Sequence, residues 1–283
     1  MRVAFLGPEG TFAEEALRVS APAGGEIEEV PYPTVYETVM AVQDGEVDRA
    51  VVPIENSLEG SVTATLDALA GEAERVRIAA EVVRPIAHCL AARPGLALED
   101  VRRVISHPQA IAQCAGFLRG RLPRAETGSA PSTADAVRTV AATSEPWAAL
   151  GPRLAAELYG CAVIEENVED RPDNSTRFVW LALDGTDVGS APTKTSVVFW
   201  GFNDESPGAL VGVLGEFADR EINLTKIESR PRRVRLGHYM FFADLEGAVG
   251  EVRVDEALAA LSTRVQTLKV LGSYPVLGSN PPT

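Results

Sequence analysis

VAFLGPEGT, at residues 3–11, is a short apolar run that ends in a glycine-rich turn and a threonine. A strand followed by a helix with a threonine at its start is typical of a βα unit. The same alternation continues to about residue 185, with further strands predicted at 50–54, 101–106 and 178–183. Helices are predicted to begin near residues 11, 34, 61, 108, 132 and 151. The pattern predicts an α/β domain with a mostly parallel sheet.

Residues 77–92 form a long stretch rich in strand-forming residues, and a second set of αβ units follows it. Such a layout indicates two α/β lobes joined by crossing segments, with a cleft between them. Beyond a small, polar linker the order becomes strand 195–202, helix 207–220, strands 223–229 and 238–245, helix 254–263 and strand 265–274. This βαββαβ order predicts a ferredoxin-like sandwich.

The predicted domain limits follow from these changes of pattern. We expect a first domain at 1–185, a linker at 186–194, a second domain at 195–275 and a tail at 276–283. A chain of 283 residues is long enough for two units, each with its own core.

Charge, the N-terminal residues and the cysteines limit which partners and which cellular compartment we expect for the protein. The formal charge of −14 would repel nucleic acid and anionic lipid over most of the surface, so we expect neither as a partner. The first residues lack the apolar core and cleavage site of a signal peptide. Three distant cysteines suit reduced thiols. These features predict a cytoplasmic protein.

Small polar residues occupy four predicted strand-to-helix junctions, at 7–11, 55–61, 106–109 and 129–133. In an open α/β sheet, ligands bind where strands end, and free backbone N–H groups there attract anions. Each junction alone is an ordinary capped turn. Together they predict one site for a small organic anion, held by neutral donors and helix dipoles.

The segment NSTRF, residues 174–178, enters the last strand of the first domain with an amide, two hydroxyls and a guanidinium. Arg177 fits two interpretations equally well, a surface ion pair or a bidentate grip on a carboxylate in the cleft. The sequence has no dinucleotide fingerprint, no phosphate-binding loop and no zinc-ligand spacing. We therefore expect no cofactor and no metal.

These motifs together resemble the prephenate dehydratase family over nearly the whole chain. The resemblance rests on GPEGTF at 7–12, PIENS at 53–57 with GSV at 60–62, SHPQA at 106–110, STA at 132–134 and NSTRF. It implies a two-lobed, periplasmic-binding-protein-like catalytic domain, followed by a ferredoxin-like βαββαβ ACT domain. It also implies a monofunctional enzyme, since no chorismate mutase segment precedes Met1.

The activity implied is the decarboxylating dehydration of prephenate to phenylpyruvate, with feedback regulation by phenylalanine. An arogenate dehydratase, or a non-catalytic small-molecule binder with a sensing domain, stays open as an alternative. The resemblance places Thr176 beside the leaving hydroxyl, Glu55 second as its proton donor, and Arg177 as a carboxylate clamp. The implied substrate-binding residues are Thr11, Asn56, Ser57, Gly60, His107, Gln109, Thr133, Asn174 and Phe178.

PGAL at 207–210 and NLTKIESRP at 223–231 resemble an ACT domain of the phenylalanine-binding kind. L-phenylalanine would bind between two ACT domains, which implies a homodimer or a homotetramer. The implied effector-binding residues are Gly208, Ala209, Leu210, Asn223, Leu224, Glu228, Ser229, Arg230 and Pro231.

Overall fold

The computed structural model describes residues 1–22, 26–186, 190–202 and 206–278. The strands of the first domain are β1 (Arg2–Leu6), β2 (Glu28–Tyr32), β3 (Arg49–Asn56), β4 (Gly60–Ser61), β5 (Val76–Pro85), β6 (Cys89–Ala92), β7 (Arg103–Ser106), β8 (Glu126–Ser129), β9 (Trp147–Gly151), β10 (Ala162–Glu165) and β11 (Ser175–Leu183). Its helices are α1 (Phe12–Ser20), α2 (Val35–Gln43), α3 (Thr63–Ala70), α4 (Pro108–Gln113), α5 (Ala115–Arg121), α6 (Thr133–Ala142) and α7 (Arg153–Tyr159).

These elements form two lobes. One sheet has the order β5-β11-β3-β1-β2, with β4 on β3, and the other has the order β10-β6-β9-β7-β8. The chain crosses between the sheets twice, from β5 to β6 and from β10 to β11. The predicted two-lobed α/β class is confirmed, although the sheets contain antiparallel pairs, such as β11 with β3, beside the parallel ones.

Several helices are capped at their N-termini by a side-chain hydroxyl. Thr11, Thr34 and Ser132 each accept a hydrogen bond from the backbone N–H three residues later, as the sequence predicts for capped helices. The helix predicted near Ser61 begins at Thr63 instead, because Ser61 pairs with Glu55 as part of β4.

The second domain contains β12 (Lys194–Trp200), α8 (Ala209–Ala218), β13 (Leu224–Pro231), β14 (Tyr239–Glu246), α9 (Val252–Arg264) and β15 (Thr267–Tyr274). Its sheet has the order β13-β14-β12-β15, so the ferredoxin-like prediction is confirmed. One face of the sheet packs on α8 and α9. The other face buries Val198, Phe242 and Leu271 against the core of the first domain.

The predicted tail differs from the structure. Val276–Leu277 form β16, which pairs in parallel with β5 at the edge of the first lobe's sheet. The chain therefore returns to the first domain after completing the second. Residues 279–283 of the predicted tail and 187–189 of the predicted linker lie outside the described residues. No helix in the described ranges is both long and apolar enough to cross a bilayer.

Candidate active site

A cavity of about 380 Å³ lies between the two lobes of the first domain. The first lobe contributes the turns after β1 and β3, and the second lobe contributes the starts of α4 and α6. Nine of the predicted residues line it: Thr11, Asn56, Gly60, His107, Gln109, Thr133, Asn174, Thr176 and Phe178. The four predicted junctions thus meet at one site: two follow strands of the first lobe's sheet, two follow strands of the second lobe's sheet, and the two pairs face each other across the cleft.

Thr176 is held by an amide on the neighbouring strand. It is only 7% exposed, and its Oγ1 accepts a hydrogen bond of 2.8 Å from Asn56 Nδ2. The Asn56 amide is fixed in this orientation because its Oδ1 accepts the backbone N–H groups of Leu58 and Glu59 at 3.0 and 3.1 Å. Among the described residues, no acceptor takes the Thr176 proton. The hydroxyl can therefore donate to a bound ligand.

A chain of amides continues from this pair into the second lobe. Asn56 Nδ2 also donates to Asn174 Oδ1 at 2.9 Å, and Asn174 Nδ2 lies 3.5 Å from Gln113 Oε1. Gln113 Oε1 is also 3.1 Å from His88 Nε2. Asn174 stands where the second crossing segment enters β11. The chain therefore ties Thr176 to the junction between the lobes.

Gln113 and His88 line the cavity, but the sequence analysis did not assign them to the site. Gln113 Nε2 and His88 Nδ1 are buried without a hydrogen-bond partner among the described residues, so the protein leaves two polar atoms unsatisfied beside the cavity. Burial lowers the pKa of His88, which favours the neutral imidazole. The four-residue spacing from Gln109 to Gln113 places both side chains on one face of α4, and this spacing could have revealed Gln113.

The cavity holds no cationic side chain among the described residues that line it. Helix N-termini take that role in both lobes: α1 in the first, and α4 and α6 in the second. The caps Thr11, on α1, and Ser132, on α6, both line the cavity. Helix N-termini favour negative charge because their backbone N–H groups lack partners within the helix. The site thus suits an anion, as the sequence predicts.

The expectation that Arg177 faces the cleft is wrong. Alternate side chains of a strand point to opposite faces of its sheet, so Arg177 points away from the cavity that Thr176 and Phe178 line. Its guanidinium contacts Glu81 and Asp244 at 3.1 and 2.5 Å, between the two domains.

Glu55 and Ser57 also lie outside the cavity lining. Glu55, next to Asn56 on β3, points to the same face as Arg177 and lies 3.3 Å from Arg177 Nε. Its predicted position as a proton donor in the cleft is therefore wrong, for the same geometric reason. Ser57 is exposed, and its Oγ accepts the backbone N–H of Ser175 at 2.9 Å. It contacts the start of β11 and donates to Asn174 Oδ1 at 3.4 Å, but it does not itself line the cavity.

A second pocket of about 380 Å³ lies at the start of α8 in the second domain. Gly208, Ala209 and Leu210 line it, together with Tyr239 and Phe241. Gly208 adopts a φ of 82°, a left-handed conformation that favours glycine.

The other predicted effector-binding residues do not line this pocket within one chain. Asn223 is exposed and donates to Glu246 Oε1 at 3.1 Å, and Ser229 is exposed on β13. Leu224 packs against the second domain's core. Glu228 and Arg230 contact Ser61 and Asp67 of the first domain. Pro231 lines a separate cavity beside Trp200.

Comparison with known proteins agrees with this geometry. The prephenate dehydratase family model matches residues 3–186, and the ACT domain model matches residues 198–263. The chain belongs to the prephenate dehydratase family. A prephenate dehydratase of Mycolicibacterium vanbaalenii is 40% identical, over 99% of this chain and 94% of that protein.

Solved structures give the same relationship for the full chain. The prephenate dehydratase of Arthrobacter aurescens in complex with L-Phe superposes with a TM-score of 0.89 at 38% identity, covering 100% of this chain and 92% of that chain. A protein called GqqA, described as a novel type of quorum quenching acylase, gives a TM-score of 0.86 at 31% identity and covers 98% of both chains. The family relationship assigns this chain the prephenate dehydratase reaction, a hydro-lyase step of aromatic amino acid biosynthesis.

Proposed function

We propose that this chain converts prephenate to phenylpyruvate in the cavity between the lobes, with the Thr176 hydroxyl donating a hydrogen bond to the departing hydroxide. The observation that carries this assignment is the 2.8 Å hydrogen bond from Asn56 Nδ2 to Thr176 Oγ1. Because Oγ1 accepts from the amide, its own proton is directed elsewhere. A donor aimed at charge that develops in the transition state accelerates a reaction more than one that binds the ground state.

The substrate carries two carboxylates, of which only the side-chain carboxylate stays bound through the reaction. We assign this group to the helix N-termini of the cavity near Thr11 and Thr133. Gln109, Gln113 and His107 add neutral side chains to the second lobe's wall. Neutral donors hold an anion without the desolvation cost of a buried lysine.

The reaction breaks two bonds that join the substrate ring to its substituents. The ring carboxylate leaves as carbon dioxide, and the electron pair of that C–C bond moves into the ring, which becomes aromatic as the C–O bond breaks. The hydroxide that departs takes up a proton from the solvent and leaves as water. A threonine hydroxyl is too weak an acid to supply that proton alone, so Thr176 stabilises the departing hydroxide or relays the solvent's proton to it. The side-chain carboxylate stays bound throughout.

An apolar wall completes the site. Phe12, Ile86 and Phe178 line the cavity beside the polar residues. Loss of the ring carboxylate removes one charge, so an apolar environment around that group disfavours the carboxylate relative to the neutral carbon dioxide that it becomes. The wall therefore assists the decarboxylation while the helix N-termini retain the other carboxylate.

Prephenate fits this cavity better than arogenate. Arogenate carries an ammonium group on its side chain, and a buried carboxylate would be its natural partner. Among the described lining residues Glu59 is the one acidic side chain, and it is exposed. We therefore expect the keto acid to be preferred.

An acylase activity has less support from the geometry. Acyl transfer by a serine or threonine needs a histidine or another base that hydrogen-bonds the hydroxyl. Among the described residues, no hydrogen bond joins a cavity histidine to a serine or threonine hydroxyl: His88 Nε2 contacts Gln113 Oε1, and His107 Nδ1 accepts the backbone N–H of Gln109.

We also propose that L-phenylalanine is the allosteric effector and that it binds the pocket at Gly208, Ala209 and Leu210. The pocket's aromatic and aliphatic lining suits a phenyl ring. Its head group would be bound by a second copy of the chain, in a homodimer or homotetramer. A cytoplasmic location is part of the same proposal, supported by three free thiols at Cys89, Cys114 and Cys161.

Turnover of three substrates by the purified full-length chain tests the proposal. Prephenate should give phenylpyruvate, with a kcat/KM at least about tenfold above that for arogenate, which corresponds to about 1.4 kcal/mol. An acylated amide substrate should not be cleaved. Activity should survive EDTA and dialysis, since among the described residues no three His, Cys, Asp or Glu side chains group to hold a metal ion. A preference for arogenate, or amide cleavage without prephenate turnover, would overturn the proposal.

A further inference from the structure

Two neighbouring residues of β11 serve opposite faces of the sheet. Thr176 lines the cavity, whereas the Arg177 side chain is 11% exposed and lies between the first domain and the ACT domain. Arg177 Nη1 contacts Asp244 Oδ2 of β14 at 2.5 Å and Glu81 Oε2 of β5 at 3.1 Å. Burial lowers the pKa of Arg177, but the carboxylates of Asp244 and Glu81 outweigh it and raise this pKa above its usual value. The guanidinium therefore remains a cation in a buried site.

On β3, which pairs with β11, neighbouring residues likewise serve opposite faces of the sheet. In the β3–β11 pairing Thr176 lies opposite Asn56, and Arg177 lies opposite Glu55. Asn56 lines the cavity and holds Thr176, while Glu55 lies 3.5 Å from Lys226 Nζ of the ACT domain. Two adjacent cross-strand pairs thus have different surroundings. One contacts the substrate cavity, and the other contacts the regulatory domain.

A third contact joins the same two regions. Ser61 lines the cavity, and its Oγ accepts a hydrogen bond of 2.5 Å from Lys226 Nζ. Ser61 lies on β4, which pairs with β3 at Glu55. The ACT domain is therefore attached to both sides of the strand that carries Asn56.

The ACT side of the cluster is fixed by its own sheet. Asp244 is 5% exposed, and its Oδ1 accepts a hydrogen bond of 2.5 Å from Ser196 Oγ on β12. Ser196 Oγ is in turn 2.6 Å from the Tyr274 hydroxyl on β15. Lys194 Nζ contacts Glu81 at 2.8 Å. Hydrogen bonds therefore connect Arg177, through Asp244, to three ACT strands: β14, β12 and β15.

We propose that Asp244 and Arg177 form a positioning pair through which the ACT domain sets the orientation of Thr176 in the cavity. The proposal rests on the role of Thr176 given above. Packed charge clusters have discrete arrangements rather than continuous ones, so a shift of the ACT sheet would rotate or translate β11 at Arg177. Because Thr176 is the preceding residue, its hydroxyl would move with it. An effector that shifts the ACT sheet would thereby change kcat.

The test uses Asp244→Asn in the full-length chain, because asparagine keeps the shape and the contact with Ser196 but removes the charge. In the absence of phenylalanine, kcat on prephenate should fall about tenfold, with KM within about twofold. The phenylalanine concentration for half inhibition should also shift by about fivefold or more. Asp244→Glu, which restores the carboxylate, should recover part of the lost kcat.

Asp67→Asn is the matched control. Asp67 pairs with Arg230 and Arg233 of the ACT domain at 3.0 and 2.8 Å, but it lies on α3, which contributes no described residue to the cavity lining. This variant should weaken another interdomain ion pair, which is more exposed than that of Asp244, and leave the basal kcat within about twofold. A tenfold fall in kcat in both variants would show that interdomain ion pairs act only through general stability, and would overturn the proposal.

Arg177→Lys provides a second variant if Asp244→Asn does not fold. Lysine keeps a cation in the cluster but cannot reach three carboxylates with a planar fork. It should lower kcat and alter the phenylalanine response in the same way. A folded variant of either residue with wild-type kcat and wild-type inhibition would overturn the positioning role. Absence of prephenate turnover in the wild-type chain would instead overturn the proposed function, so the two failures are distinguishable.

Discussion

The cavity between the lobes and the pocket at the start of α8 have the same volume, about 380 Å³ each, but differ in their polar linings. The cavity contains a chain of amides that fixes the Thr176 hydroxyl, and two buried polar atoms beside it have no hydrogen-bond partner among the described residues. The polar side chains among the pocket's described lining residues are Ser206 and Tyr239, with no charged group. The cavity therefore has polar donors within one chain, whereas the pocket offers an apolar lining of the kind that we propose for the phenylalanine ring.

This difference matches the two roles that we propose, catalysis in the cavity and phenylalanine sensing in the pocket. A catalytic site must hold its donors rigidly, because interactions that appear only in the transition state raise kcat. A regulatory site between subunits gains from being incomplete in one chain, since ligand binding then depends on how the subunits are arranged. Substitutions in the cavity and in the pocket should therefore change turnover and inhibition separately.

The largest effect is expected from Thr176→Ala. Removing the donor at the departing hydroxide should cost about 2.7–4 kcal/mol, a fall in kcat of about 10²–10³ with KM little changed. Thr176→Ser should keep much of the rate, because it retains the hydroxyl. Steady-state kinetics on prephenate, with circular dichroism to confirm folding, measures both. Near-normal kcat with raised KM in Thr176→Ala would show that the hydroxyl only positions substrate.

Asn56→Asp should give the next largest loss. The isosteric carboxylate accepts rather than donates, so Thr176 would turn its proton toward this new carboxylate and away from the leaving group. We expect kcat to fall at least about tenfold. KM should also rise, because a negative charge then faces a dianionic substrate. Ser57→Ala is the control, since Ser57 braces the same turn from outside the cavity and should change kcat by less than about threefold. Equal losses in both variants would contradict the hydrogen-bond argument.

The sequence predicted the fold class and most of the cavity lining for a clear physical reason. Strand-to-helix turns carry recognisable residues, such as Thr11 and Ser132 as helix caps, and neighbouring parallel strands of one sheet end at the same edge. Local chemistry and topology therefore bring Thr11 close to Asn56 in one lobe and His107 close to Thr133 in the other, and the predicted cleft between the lobes brings the two pairs together.

The predictions that were wrong concern features that residues nearby in the sequence do not determine. Arg177 and Glu55 follow or precede cavity residues in the sequence, but the pleat of each strand turns them to the domain interface. A resemblance to motifs identifies a segment without saying which of its residues faces the ligand. Likewise β16 could not be predicted, because Val276–Leu277 pair with β5, almost two hundred residues earlier in the chain.

A smaller and separate effect is expected from Leu210→Ala in the ACT pocket. Losing most of an apolar side chain from the lining should weaken phenylalanine binding by about tenfold, equivalent to about 1.4 kcal/mol. Basal kcat on prephenate should not change, because the pocket shares no described lining residue with the cavity. Inhibition curves measure the shift, and Val252→Ala, exposed on α9, is the control. Unchanged inhibition in Leu210→Ala would place the effector elsewhere.

The smallest effect concerns the pH dependence of stability at His88, which is 3% exposed and lies edge-on to Phe12 at a ring distance of 5.5 Å. Burial lowers its pKa in the folded protein, against an opposing hydrogen bond to Gln113. In the unfolded chain the pKa should be near the ordinary value of about 6.5. The unfolded state therefore takes up a proton first as the pH falls, so this contribution to stability is present above about pH 6.5 and is lost below it. Urea unfolding at pH 7.5 and 5.5 should show a smaller loss of free energy in His88→Gln than in the wild type. An identical loss in the two proteins would show that another group controls stability in this range.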